Sequence, residues 1–199
     1  MRTKVLVYTA MVCALAAAFS LAVPEAPPKA RTWQLDVSFH DPQRIEVRLP
    51  GDEEPTTYWY MLYTVTNETG RDVRFYPSAS LVTDTLEVVR AGDDVPPQVY
   101  EAIGARHKKK YPFFAPPTAV TGPLLQGEDR ARTTAAVFST FDPEADASTV
   151  YITGLSGDVR RVPNPAFDRN QPESEENPRA FLLRRTLAIE YKLPGEPDT

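Results

Sequence analysis

Arg106, His107, Lys108, Lys109 and Lys110 form an unbroken run of five potential cations, and Tyr111, Phe113 and Phe114 follow it at once. Charge beside aromatic rings on a proline-containing stretch is the composition of a contact surface. The cations attract an anionic polymer, an acidic protein or a lipid headgroup surface, and the rings supply area to bury. Arg106, Lys108, Lys109, Lys110, Tyr111, Phe113 and Phe114 are therefore the candidate binding residues. The competing explanation is structural: positive charge at a helix C-terminus complements the helix dipole, and the rings can belong to a core.

Other residues with chemical potential are scattered. The chain has two histidines; His40 is expected at the surface beside Asp41, and a metal site there lacks further ligands. Asp142, Glu144 and Asp146 have alternate spacing suited to calcium, but Pro143 intervenes and neither the glycine nor the bidentate glutamate of such a loop follows, so an acidic turn is expected. Asp84 is the misfit on the apolar side of LVTDTLEVV (81–89), and Arg185 is the misfit of the last strand. A buried acid there would mark a functional site, or the two would form a buried ion pair. A carboxylate-based enzyme using Asp84 with Arg185 or His40 is the alternative in a different class. Asn67-Glu68-Thr69 matches a glycosylation acceptor, a three-residue pattern common by chance. The sequence has no glycine-rich phosphate loop, no serine nucleophile elbow and no paired metal-ligand motif. It therefore suggests no catalytic residue, no metal and no cofactor.

Composition bounds what can position these residues. A chain of 199 residues suits one domain. Twenty prolines fit between short strands far better than within helices. Lys4 is followed by an uncharged run, Val5 to Val23, so residues 1–22 are expected to be a secretory signal, cleaved after Ala22 or retained as an anchor. Residues 23–30 form a proline-rich linker, 31–194 the domain and 195–199 a tail. The protein is expected to be exported to the periplasm, the cell envelope or the extracellular space, touching membrane only through the first segment if that is retained. Cys13 is the single cysteine and lies inside the apolar run, so the exported domain relies on its core without disulfides. Removal of Arg2 and Lys4 makes the formal charge of −5 more negative by two, which argues against nucleic acid as a partner.

The domain reads as strands. Trp33, Leu35, Val37 and Phe39 alternate with polar residues, and after a break at Pro42 so do Ile45, Val47 and Leu49. Tyr58 to Gly70, YWYMLYTVTNETG, has Trp59, Met61, Tyr63 and Val65 on one side and Tyr58, Tyr60 and Leu62 on the other. Apolar residues on both faces predict a central strand. Further strands are expected at Val73–Tyr76, Leu81–Val89 and Ala131–Phe141, where Thr134 takes the polar side. Thr149–Leu155 and Val159–Val162 are expected to pair as a hairpin about Ser156-Gly157, and Phe181–Leu193 is the last strand. One short helix near 97–106 follows Asp94 as its cap, with a possible strand at Ala119–Val120. Residues 163–179, with four prolines and four acids, are expected to be a mobile loop.

Seven to nine short strands with turn signals between them predict an all-β fold, a single antiparallel sandwich. The order resembles that of secreted bacterial immunoglobulin-like domains: Tyr63-Thr64-Val65-Thr66-Asn67 ending an aromatic strand, a turn with Gly70, a strand at 81–89, then Gly127-Glu128 before a strand carrying Phe138. The likeness covers residues 33–155 and lacks the paired cysteines of antibody domains. It implies an immunoglobulin-like accessory or binding module whose partner is an unidentified protein or cell-envelope component, and it carries over no catalytic residue.

Overall fold

The computed structural model describes residues 32–193. The expected signal, the linker and the tail lie outside the described residues. Within them the chain forms an all-β sandwich of twelve strands, every recorded pairing antiparallel.

β3 (Thr56–Thr66) is the centre of the first sheet. β1 (Asp36–Phe39) and β2 (Gln43–Val47) lie end to end along one of its edges, and β8 (Arg132–Phe138) runs along the other. The break between β1 and β2 falls at Pro42, which has no N–H to give to the ladder. The second sheet has the order β12 (Leu187–Lys192), β9 (Ala147–Thr153), β5 (Ser78–Thr83), β6 (Val88–Arg90). Between the sheets Met61, Tyr63, Val65, Ala136 and Phe138 meet Leu81, Val89, Val150 and Ile152. β4 (Val73–Phe75) pairs with β7 (Gly122–Leu124) and adds Phe75 and Leu124 to the same core.

The other face of β3 is covered by helix α1 (Pro97–His107), whose Val99 and Ile103, one turn apart, are fully buried against Tyr58, Tyr60, Leu62, Ala135 and Val137. The two-sided apolar pattern of β3 thus reflects two cores, one inside the sandwich and one under a helix. Each buried aliphatic side chain there contributes about 1.5–3 kcal/mol. Pro96, not Asp94, precedes the helix, and no side chain caps it. Asp94 instead takes a positive φ in the approach turn. Pro97 suits the first helical turn because its missing N–H would be unpaired there in any case.

Several strand expectations are corrected. Residues 81–89 are not one strand: Thr83 accepts from the Glu87 N–H through its hydroxyl (2.9 Å) and folds the chain into the β5–β6 turn. Asp84 is exposed in that turn and Leu86 is 82% exposed at φ 70°, so the acid is no misfit on a buried face. Residues 181–193 are two strands; β11 (Ala180–Arg184) pairs with β10 (Val159–Pro163), while β12 joins β9. The expected 149–162 hairpin therefore does not form. After Gly154 the chain turns back instead to Trp33 and Leu35, with Leu35 N–H on the Leu155 carbonyl (2.9 Å). A Cβ at Gly154, whose φ is 83°, would stand 2.2 Å from the Tyr76 carbonyl oxygen, so this turn admits only glycine. Residues 117–120 are a short helix, α2 (Pro117–Val120), and not a strand. Thr134 is fully buried and its hydroxyl has no protein partner, against its expected polar side. Residues 164–179 close on themselves around the buried Asn177, which donates to the Asp168 carbonyl (3.0 Å) and accepts from its N–H (2.9 Å).

Candidate functional site

The basic run sits where α1 ends. Lys110 and Tyr111 N–H groups both return to the His107 carbonyl (3.0 and 2.8 Å), which turns the chain off the helix axis, and Phe114 N–H closes a second turn on Tyr111 (3.1 Å). Two rings hold this turn in place. Tyr111 is half-buried and its hydroxyl bonds His40 Nε2. Phe114 lies on the helix at Gly104, where a Cβ would come within 3.1 Å of its ring; glycine makes that approach possible.

The turn meets the first sheet through a polar cluster. Tyr60, almost fully buried, donates its hydroxyl proton to Gln43 Oε1 (2.9 Å) and lies 2.7 Å from His107 Nε2. With the phenol proton on Gln43, His107 must donate through Nε2–H, which fixes its neutral tautomer. Arg106 Nη1 donates to the Arg44 carbonyl (2.8 Å) and reaches the Tyr60 hydroxyl at 3.4 Å. Lys110 Nζ stands 3.5 Å from His40 Nε2 and 5.3 Å from the Tyr111 ring centre. Burial, then the charges of Arg106, His40 and Lys110, push the His107 pKa below its ordinary value. His40 is thus a bonded member of this cluster and not a lone surface group. The sequence held one signal of it, an imidazole on each of two segments flanking a tyrosine-rich strand, but nothing in the sequence brought His40 and His107 to the same ring, Tyr111.

Outside this polar core the candidate residues divide. Lys108, Lys109 and Lys110 are exposed, and Phe113 is 89% exposed at the loop tip. Among the described residues the ion pairs are Arg130–Asp129, Arg179–Glu173 and Arg185–Asp158, so none of these lysines has a carboxylate partner. Tyr111 and Phe114 anchor the turn through their contacts with His40 and Gly104. Beside them, another flank of α1 opens a groove of about 670 Å³ lined by Tyr100, Phe114, Pro116 and Pro117, with Asp93 and Glu101 at its polar side. Burial raises the Tyr100 pKa.

The remaining sequence candidates do not join this cluster. Asp84 bonds the Ala147 carbonyl through its N–H (3.0 Å) and Arg185 pairs with Asp158 (3.7 Å), so the two misfits are neither buried nor paired with each other. Asp142 accepts from the Glu144 N–H (2.9 Å), an acidic turn whose hydrogen bonds, the backbone one first, lower the Asp142 pKa. Asn67 is fully buried: its amide donates to the Arg71 and Leu124 carbonyls (both 2.9 Å) and its oxygen accepts from Thr69 N–H (3.1 Å) and hydroxyl (2.8 Å). It staples the turn after β3 to β7 and offers no free amide to a sugar.

Comparison of the chain with protein-family models, with curated proteins and with solved structures finds no match.

Proposed function

We propose that this chain is an exported, non-enzymatic binding module of the immunoglobulin-like bacterial type, and that it engages an anionic partner through the turn Lys108–Phe113. The observation that carries the reading is an exposed phenylalanine beside three lysines without carboxylate partners, on a turn whose flanks are fixed by Tyr111 and Phe114. Fixed flanks lower the ordering cost of binding, and the projecting ring supplies apolar area to bury against a partner. Export rests on the apolar run Val5 to Val23, and the partner is an acidic protein or an anionic polymer of the cell envelope.

Binding to an immobilised anionic polysaccharide is the direct test. Replacing Lys108, Lys109 and Lys110 with alanine should weaken it at least about tenfold at low salt, and the native affinity should fall as salt rises. Phe113→Ser should weaken the interaction without changing its salt dependence. Retention of native affinity by the triple-alanine variant removes the proposal.

A further inference from the structure

β10 and β11 pair with each other and, among the described residues, with no other strand, so they project from the sandwich as a two-stranded arm. A ribbon of this kind is marginal alone and needs a third strand or a covered face. The arm has neither. Val159, Phe181, Leu182 and Leu183 are all exposed, Leu182 at 61%. The two outer edges differ in kind. β10 reads Val-Arg-Arg-Val-Pro, and two charges with a terminal proline blunt it against further pairing. β11 reads Ala-Phe-Leu-Leu-Arg, with no proline and no charge before Arg184, so its edge is open.

The net charge differs between strands and tip: Arg160, Arg161 and Arg184, outside the ion pairs of the described residues, lie on the two strands, whereas the loop at the tip holds Asp168, Glu173, Glu175 and Glu176 against Arg169 and Arg179. Glu173 also reaches Arg179 (3.6 Å). We infer that the open β11 edge pairs with β11 of a second copy of this chain, making a four-stranded antiparallel sheet across a two-fold axis. Antiparallel pairing sets the base of each arm beside the tip of the other, so the arginines of one copy face the glutamates of its partner. A shared axis at Leu182, the centre of the strand, places Phe181 opposite Leu183 of the partner copy on one face. The interface is self-complementary, as a two-fold contact requires. This surface is separate from the lysine turn and does not depend on its function.

The test uses the purified full chain carrying Cys13→Ser. Sedimentation should show a concentration-dependent dimer. Leu182→Cys should cross-link to itself under mild oxidation, because residues paired on the axis lie about 5 Å apart at Cα. Leu182→Lys opposes two ammonium groups on the axis and should raise the dimer dissociation constant at least about a hundredfold; the unfolding midpoint at low protein concentration should not move, since the residue is exposed. Glu173→Gln with Glu175→Gln and Glu176→Gln should weaken the dimer at low salt and much less at high salt. A chain that stays monomeric at hundreds of micromolar overturns the inference, as does a dimer that Leu182→Lys leaves intact or Leu182→Cys fails to cross-link. Binding of the monomer to vesicles rich in anionic lipid, lost in Leu182→Lys, would assign the arm to a membrane surface instead and also overturn it.

Discussion

Two side chains show how much a single residue carries here. Asn67 satisfies four hydrogen bonds from a fully buried position, and Asn67→Ala removes the amide donor from the Leu124 and Arg71 carbonyls, of which the latter keeps the Thr69 hydroxyl (3.0 Å). Unfolding in urea should show a loss of about 3 kcal/mol, against nearly none for the exposed neighbour Glu68→Ala. His107 contributes a pH dependence on the acid side of neutrality. Its folded pKa lies below the ordinary 6.5, so the native state takes up its proton less readily than the unfolded chain. The contribution is unchanged above the unfolded value and stability falls as pH drops from there through the folded pKa. His107→Gln, which keeps a side-chain N–H for Tyr60, should flatten the thermal midpoint across this acid window. A slope identical to the native one would refute the assignment.

At the scale of elements, α1 has two roles that its sequence shows unequally. Val99 and Ile103 were readable as an apolar stripe, but the stripe is too short to say whether it faces the sandwich interior or covers an outer face. Buried outside β3, the helix fixes where the lysine turn emerges. Ile103→Ala should therefore cost about 3 kcal/mol and also weaken polyanion binding, because the turn loses its support. The strand boundaries were less legible. Residues 81–89 alternate well enough to pass for one strand, and the decisive bond, donated by the Glu87 N–H to the Thr83 hydroxyl, uses residue types that are equally at home within a strand. Residues 181–193 fail in the same way, since the switch of sheets occurs at Arg185–Thr186, where the pattern shows only Arg185 out of place.

At the scale of the whole molecule, the two cores share β3, so neither can be lost without the other. Met61 and Tyr63 enter the inner core while Tyr60 and Leu62 enter the helix-covered one. Heat or urea should unfold the two cores in a single transition that tryptophan fluorescence and far-ultraviolet dichroism report together, unchanged by a chelator or a reductant. Two separated transitions would show that the helix-covered core is independent. The sequence by itself determined the all-β class, the central place of Tyr58–Thr66 and the helix near 97–106, because these rest on periodicity and on residue types that the backbone itself constrains. Only the tertiary structure decided that His40 meets Tyr111, that Asp84 is a turn residue, that Asn67 is buried and that β11 leaves the sandwich. Each depends on which distant strand lies alongside, and a period-two pattern says which face of a strand is apolar without saying what covers it. The basic run spans both cases: its charge was legible, but its division into anchors, Tyr111 and Phe114, a lysine that reaches back to His40, Lys110, and an exposed tip, Lys108 and Lys109 with Phe113, was made by the packing of α1 against the sheet.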